Sequence, residues 1–281
     1  VRLSPFRLHR PTTVEEACGI LRDLGADALP YCGGTELLLV AKLGLTDFSD
    51  LVDLKGIDEL SGISVNGDLR IGATTTHREV ERSALVRSGW PSLAEMERRV
   101  GNIRVRNVGS IGGNLCFADP HSDPATYLIA AGGSLITSSG RQIAVEEFTR
   151  GPYTTALEPA ELLVSVQVPP LPPDSTLVHR KMSFNERPAI TVAVNLRVTH
   201  GAVMEARVAA GSVGVAAQRL LATEEALVGV DASADALSVC AETAASEATP
   251  VEDANGSVEY KRQLVRVLVG RCVRDALGQV Q

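Results

Sequence analysis

Two short stretches hold the residues best suited to chemistry. Cys32-Gly33-Gly34-Thr35-Glu36 and Gly109-Ser110-Ile111-Gly112-Gly113-Asn114 each set paired glycines beside small polar residues. Glycine lets a backbone approach a ligand closely and turns successive N–H groups toward one anion. Two such turns facing each other can hold a diphosphate with little net positive charge, which suits a dinucleotide. The alternative is that both are tight turns, and for a single Gly-Gly pair that is the stronger reading. Neither turn carries Gly-x-Gly-x-x-Gly or the phosphate-loop Gly-x-x-x-x-Gly-Lys.

Asp119, His121 and Asp123 follow the second turn closely, a grouping that offers metal ligands or a general base. Asp123 before Pro124 reads more simply as a helix cap. The histidines at 9, 77, 121, 179 and 200 show no His-x-x-x-His spacing, and no Gly-x-Ser-x-Gly elbow is present, so zinc hydrolysis and serine hydrolysis are poorly supported. The cysteines at 18, 32, 116, 240 and 272 form no Cys-x-x-Cys pair, which excludes a zinc or iron–sulfur site built from local spacing. Such scattered cysteines fit a reducing cytoplasm. Lys181 and Arg187 flank Ser183 and Asn185, and either alone reads as a solvated strand edge.

A chain of 281 residues accommodates two domains. With 44% hydrophobic and 22% charged residues it reads as globular. The net charge of -7, with cations spread out, argues against nucleic acid. No stretch approaches the roughly 20 apolar residues of a membrane helix, and the first residues lack the apolar core of a signal peptide.

The elements that would position these residues follow from local pattern. Thr13-Val14-Glu15-Glu16 reads as a capping box opening a helix that Gly25 stops. A short strand over 28–32 then runs into the first glycine turn, a helix follows over 37–43, and a strand over 51–54. Asn66-Gly67 predicts a hairpin with positive φ at both turn residues. Thr76-x-x-Glu79 opens another helix, and 91–100 carries a helical pattern. Past the second turn, Asp123-Pro124 starts a helix ending at Gly132-Gly133, with strands at 134–137, 142–145 and 162–168. Pro169-Pro170-Leu171-Pro172-Pro173 then forms a stiff connector. Beyond it, strands over 177–182, 190–198 and 203–210 precede helices over 216–228, 234–248 and 259–277. That order is α+β, a three-stranded antiparallel sheet with helices.

Together, Pro30-Tyr31-Cys32-Gly33-Gly34-Thr35-Glu36-Leu37 and Arg106-Asn107-Val108-Gly109-Ser110-Ile111-Gly112-Gly113-Asn114, with Asp119-Pro120 and Asp123, resemble the FAD-binding subunit of the molybdenum hydroxylases. That family includes xanthine dehydrogenase and carbon monoxide dehydrogenase. The likeness covers nearly the whole chain, through the segment 161–166 before the connector, Lys181 to Ile190, and Gly211, Arg219, Glu225, Gly229 and Tyr260-Lys261-Arg262. It implies a two-subdomain FAD-binding domain of the vanillyl-alcohol-oxidase type over 1–172, its subdomains about 1–55 and 56–172. A C-terminal domain of the carbon monoxide dehydrogenase flavoprotein type would span 177–281.

The resemblance further implies noncovalent FAD, its diphosphate wrapped by backbone amides of Cys32 to Leu37 and Ser110 to Asn114, with Tyr31 also among the cofactor-binding residues. Asp119 would be among the cofactor-binding residues, Asp123 would contact the ribose or adenosine side, Leu163 would pack by the flavin or adenine, and Lys181 would lie close to the flavin ring. Val100 stands where the family often carries an aromatic. Cys32 and Glu36 depart mildly from the family's Ala-Gly-Gly-Thr-Asp. The implied partners are a small subunit with [2Fe-2S] clusters and a large subunit with the molybdenum cofactor, in a dimer of heterotrimers. NAD, a quinone or dioxygen would accept the electrons. The competing expectations are a self-contained FAD oxidoreductase and a non-catalytic nucleotide-binding module.

Overall fold

The computed structural model describes residues 3–184, 187–230 and 234–278, with only the backbone described at 234–236. Asn185 and the two chain ends lie outside the described residues. Strand β1 (Arg7–His9) leads to helix α1 (Val14–Leu24), whose Thr13 Oγ1 accepts the Glu16 N–H at 3.1 Å and which ends where Gly25 takes φ 62°. The expected box is only half formed, because Glu16 turns instead to the Thr12 N–H at 2.7 Å. Strand β2 (Ala28–Tyr31), helix α2 (Leu37–Lys42) and strand β3 (Asp50–Asp53) follow. The strands form a parallel sheet, order β1-β3-β2. Parallel pairing needs crossovers, which α1 and α2 supply. Ala17, Cys18 and Leu21 of α1 pack with Val52, Leu54 and Ile57 beneath them.

A second unit begins with hairpin β4 (Ile63–Asn66) and β5 (Asp68–Gly72). Its turn is tighter than the sequence predicts: Asn66 pairs with Asp68, and Gly67 alone takes a positive φ, 76°. Thr76 and Glu79 complete a reciprocal capping box at α3 (His77–Arg82). Short helices α4 (Ala84–Gly89), α5 (Pro91–Arg98), α6 (Ile103–Val108) and α7 (Ile111–Phe117) lead to α8 (Asp123–Ala131). Then come β6 (Ser134–Thr137), β7 (Gln142–Ala144), α9 (Val145–Phe148), the ribbon β8 (Thr149–Gly151) and β9 (Thr154–Thr155), and β10 (Leu163–Val168). The main sheet runs β4-β5-β10-β6-β7 with antiparallel neighbours. Trp90, Leu93, Met96, Ile111, Leu128 and Phe148 fill the core against Leu69, Ile71 and Val166.

After the prolines, β11 (Ser175–Ser183), β12 (Pro188–Thr199) and β13 (Ala202–Gly211) form the expected antiparallel sheet. A fourth strand, β14 (Gln218–Arg219), adds to its edge and shortens the predicted helix to α10 (Leu221–Leu227). Two residues carry no periodicity, so nothing local announces this strand. Arg219 holds it by a bidentate pair with Glu224, both contacts at 2.8 Å. Helices α11 (Ala234–Glu247) and α12 (Val258–Gly278) complete the unit.

Strand alternation explains how the two larger units meet. Val192 and Val194 share a core with Val265 and Val269 of α12, while Ala193 and Ala209 belong to the core around α8. Helix α8 is buried on every side, as expected of a helix between two sheets. Gly211 permits the close approach: a Cβ there would sit 2.0 Å from Thr126 Oγ1.

Candidate functional site

The cleft lies between the first parallel sheet and the second unit, with a cavity volume of about 290 Å³. One wall is the end of β2 and the first glycine turn; the other is Ala73, Thr74, His77 and the second turn, with Leu163 of β10. The turns touch. A Cβ on Gly33 would fall 2.1 Å from Val108 O, and one on Gly109 would reach 3.5 Å from Thr35 Oγ1. Gly34 takes φ 68°, so it meets a conformational need that Gly33, crowded by its neighbours, does not share.

The two turns use their amides differently. In the second, Ile111 N–H donates to Thr75 O (3.0 Å), Gly112 N–H to Ala73 O (2.9 Å), Gly113 N–H to Ser110 Oγ (3.1 Å) and Asn114 N–H to Ser110 O (3.0 Å). In the first, the N–H groups of Gly34, Thr35, Glu36 and Leu37 meet no acceptor among the described residues. These residues are half-buried and lead into the first turn of α2, so their unpaired N–H groups are donors available to an acceptor-rich ligand in the cleft.

Tyr31, Cys32, Gly33, Gly34, Thr35, Glu36, Leu37, Ser110, Gly112, Gly113, Asn114 and Leu163 all line the cleft. Ile111 and Val100 instead turn into the core of the second unit. Asp123 does not cap α8 through its side chain; it sits inside the first turn and takes Lys181 Nζ at 2.6 Å. Lys181 Nζ also donates to Arg99 O at 2.5 Å, so this cation is engaged at the junction of the two larger units rather than lining the cleft. Asp119 lies at the rim, where Arg187 Nη1 reaches its Oδ2 at 2.6 Å and Arg187 Nη2 reaches Glu36 Oε2 at 2.8 Å. Asp119 continues to His121, and His121 to Asp253 at 3.0 Å, a chain of ion pairs rather than a metal site.

Burial dominates the electrostatics. It pushes the Cys32 thiol up, against the opposing influence of Ser110 and Lys55. It raises the Glu36 carboxyl although Arg187 faces it, and raises the Asp123 carboxyl although Lys181 does. At Glu161 burial again pushes upward, but Arg141, the Glu158 N–H and Ser139 bring the carboxyl down to about 2.

Sequence reasoning did not single out His77, Thr74, Phe117 or Glu161, which also border the cleft. The Thr76 capping box marked the start of α3 but gave no reason to look at its first residue. The partner that gives His77 meaning is Glu97, on another helix, with Nδ1 to Oε2 at 2.7 Å.

An FAD molecule, which the resemblance implies, needs open donors for its diphosphate and apolar walls for its rings. Four open amides, together with Tyr31, Leu37, Leu54, Phe117, Leu162 and Leu163, meet both needs. No Lys or Arg lines the cleft among the described residues, so an anion placed there would meet mainly backbone amides.

The family described as the FAD binding domain in molybdopterin dehydrogenase matches residues 4–171. The CO dehydrogenase flavoprotein C-terminal domain matches residues 179–276. The carbon monoxide dehydrogenase medium chain of Afipia carboxidovorans is 30% identical over 284 residues, covering 98% of each chain. The glyceraldehyde dehydrogenase medium chain of Sulfolobus acidocaldarius is 28% identical over 96% of this chain and 98% of its own. Among solved structures, the carbon monoxide dehydrogenase from Hydrogenophaga pseudoflava superposes with a TM-score of 0.95 at 30% identity, covering 99% of both chains. Two glycine turns enclosing a cleft with open amides, matched along both units, establish that this chain belongs to the FAD-binding family of the molybdopterin dehydrogenases.

Proposed function

We propose that the chain is the FAD-carrying electron-transfer subunit of a molybdenum-containing hydroxylase. The observation that carries this reading is the run of open amides at 34–37, in a cleft walled by apolar side chains. The relatives named as medium chains, matched over nearly their whole length, support it. In this reading a small subunit carries [2Fe-2S] clusters and a large subunit carries the molybdenum cofactor, assembled as a dimer of heterotrimers. The division at the proline connector, 1–172 and 177–281, follows the same reading. Cysteines 18, 32, 116, 240 and 272 are free thiols, which supports a cytoplasmic setting. Among the described residues no helix is long and apolar enough to cross a membrane.

The chemistry FAD supplies when bound is to take single electrons from iron–sulfur clusters and deliver two to NAD, a quinone or dioxygen. The chain's own part is positional. The amides of 34–37 hold the anionic diphosphate, Leu163 and Phe117 keep water from the rings, and Arg187 ties Glu36 to Asp119 at the rim.

Cys32 reports on occupancy. In the purified complex, FAD should be released intact by denaturation, as a noncovalent cofactor requires. Alkylation of Cys32 by iodoacetamide, read by peptide mass spectrometry, should be slowed by FAD. A flavin-free complex, or Cys32 labelling indifferent to FAD, would overturn the reading.

A further inference from the structure

An acidic protein that binds a diphosphate through amides alone leaves two negative charges without a counter-charge. His77 is the one ionisable base among the residues lining the cleft. It is 2% exposed and sits at the seam of the two glycine turns. Its backbone N–H donates to Gly109 O at 3.0 Å, and its Cδ2 lies 3.4 Å from where a Gly109 Cβ would be. Thr35 Oγ1 lies 3.5 Å from that same point, so the imidazole faces the place where both turns come together.

The other side of the ring is fixed. Nδ1 meets Glu97 Oε2 at 2.7 Å, and Glu97 is wholly buried. Its second oxygen, Oε1, has no partner, and no Lys or Arg pairs with it among the described residues. A buried carboxylate is retained when a cation faces it, and the imidazole is the group in place to be that cation. The remaining ionisable neighbours are Tyr127 of α8, whose hydroxyl meets Ser92 Oγ at 2.8 Å, Asp123 of α8, paired with Lys181 of β11, and beyond them Arg78, Glu81 and Arg106 of α3 and α6, which pair with one another. Meanwhile His77 Nε2 meets no partner among the described residues.

We propose that His77 is a positioning cation for the flavin nucleotide: Glu97 holds its Nδ1–H, and its Nε2–H donates to the diphosphate at the seam of the two glycine turns. The proposal rests on the reading that this cleft holds FAD. A hydrogen bond between charged partners in a low-dielectric cleft is stronger and more directional than one from a neutral ring. Both ring nitrogens must then carry protons, so binding is linked to proton uptake.

The test uses the assembled complex stripped of FAD and titrated with FAD by flavin fluorescence from about pH 6 to about pH 9. Once the free ring loses its proton, the wild-type Kd should rise by up to about tenfold per pH unit, with uptake of close to one proton on binding. His77→Gln, which keeps a neutral donor, should bind about tenfold more weakly at the acid end and give a flat profile. Glu97→Gln should move the rise to lower pH. An unchanged slope in His77→Gln would overturn the proposal. If that variant fails to fold, wild-type titrations in buffers of different ionisation enthalpy decide, and binding without proton uptake over the whole range overturns it. Cys32 protection by FAD separates the two readings: a flat wild-type profile with protection intact sinks the role of His77 alone, whereas lost protection sinks the cleft itself.

Discussion

The glycine turns at 32–36 and 109–114 share a composition and lie against each other, yet their backbones do opposite work. In the second, four successive N–H groups are satisfied by Ala73, Thr75 and Ser110, which fastens the turn to the edge of the main sheet. In the first, four N–H groups from Gly34 to Leu37 stay open to the cleft. The first turn therefore keeps donors free for a ligand, whereas the second is a rigid wall fastened to the sheet. A glycine pair announces close approach, and at both positions, which line the cleft, another segment of the chain approaches: Ala73 at Gly112 and Val108 at Gly33.

The comparison breaks most readily at Gly112. A Cβ there would fall 2.5 Å from Ala73 O, a backbone atom that cannot swing aside. Gly112→Ala should destabilise the chain by about 3 kcal/mol, lowering Tm by roughly 6–10 °C in calorimetry. Gly33→Ala meets Val108 O, on the approach to the other turn, so it pushes the turns apart. It should cost at least as much stability, about 3 kcal/mol, and, unlike Gly112→Ala at temperatures where both are folded, weaken FAD binding at least about tenfold, a loss worth about 1.4 kcal/mol. Equal ratios of binding loss to stability loss in the two variants would erase the distinction between the turns.

Glu161 offers a pH-dependent version of the second turn's arrangement, because its carboxylate accepts the Glu158 N–H at 2.8 Å and faces Arg141. Its carboxyl sits at about 2, below the ordinary value. Its contribution is therefore present above the ordinary carboxylate range and disappears as pH falls toward about 2. Glu161→Gln should flatten the acid limb of urea-unfolding stability and leave the neutral limb with a constant offset. The smallest effect is expected at Gly113, where an added Cβ would meet only Ser110 Oγ, at 2.9 Å. Gly113→Ala should cost about 1 kcal/mol and leave FAD affinity within about twofold. A loss as large as that of Gly112→Ala would show that the whole motif, rather than one crowded position, is intolerant of side chains.

Most elements were legible because their signals are local. The Thr13 and Thr76 caps, the stops at Gly25 and Gly132, and the proline connector each act within a few residues. The strand over 28–32 and the helix over 37–43 appear within a residue of their expected ends. Strand β14 was not legible, since two residues become a strand only by meeting Ala209 and Ala210. Asp123 misled for a related reason. Asp-Pro at a helix start reads as a cap, but the burial of α8 between two sheets brings Lys181 to its carboxylate instead.

By itself the sequence determined where two glycine-rich stretches lie, that regular elements precede and follow them, and that the chain is acidic with its cations spread out. Tertiary structure alone decided which turn keeps its amides open, because the carbonyls of Ala73 and Thr75 reach the second turn only after the sheet has formed. It also decided that Lys181 is engaged away from the cleft while His77 lines it, braced by Glu97. Propensity and capping act along the chain, whereas the fate of a donor depends on which acceptor the fold carries to within 3 Å of it.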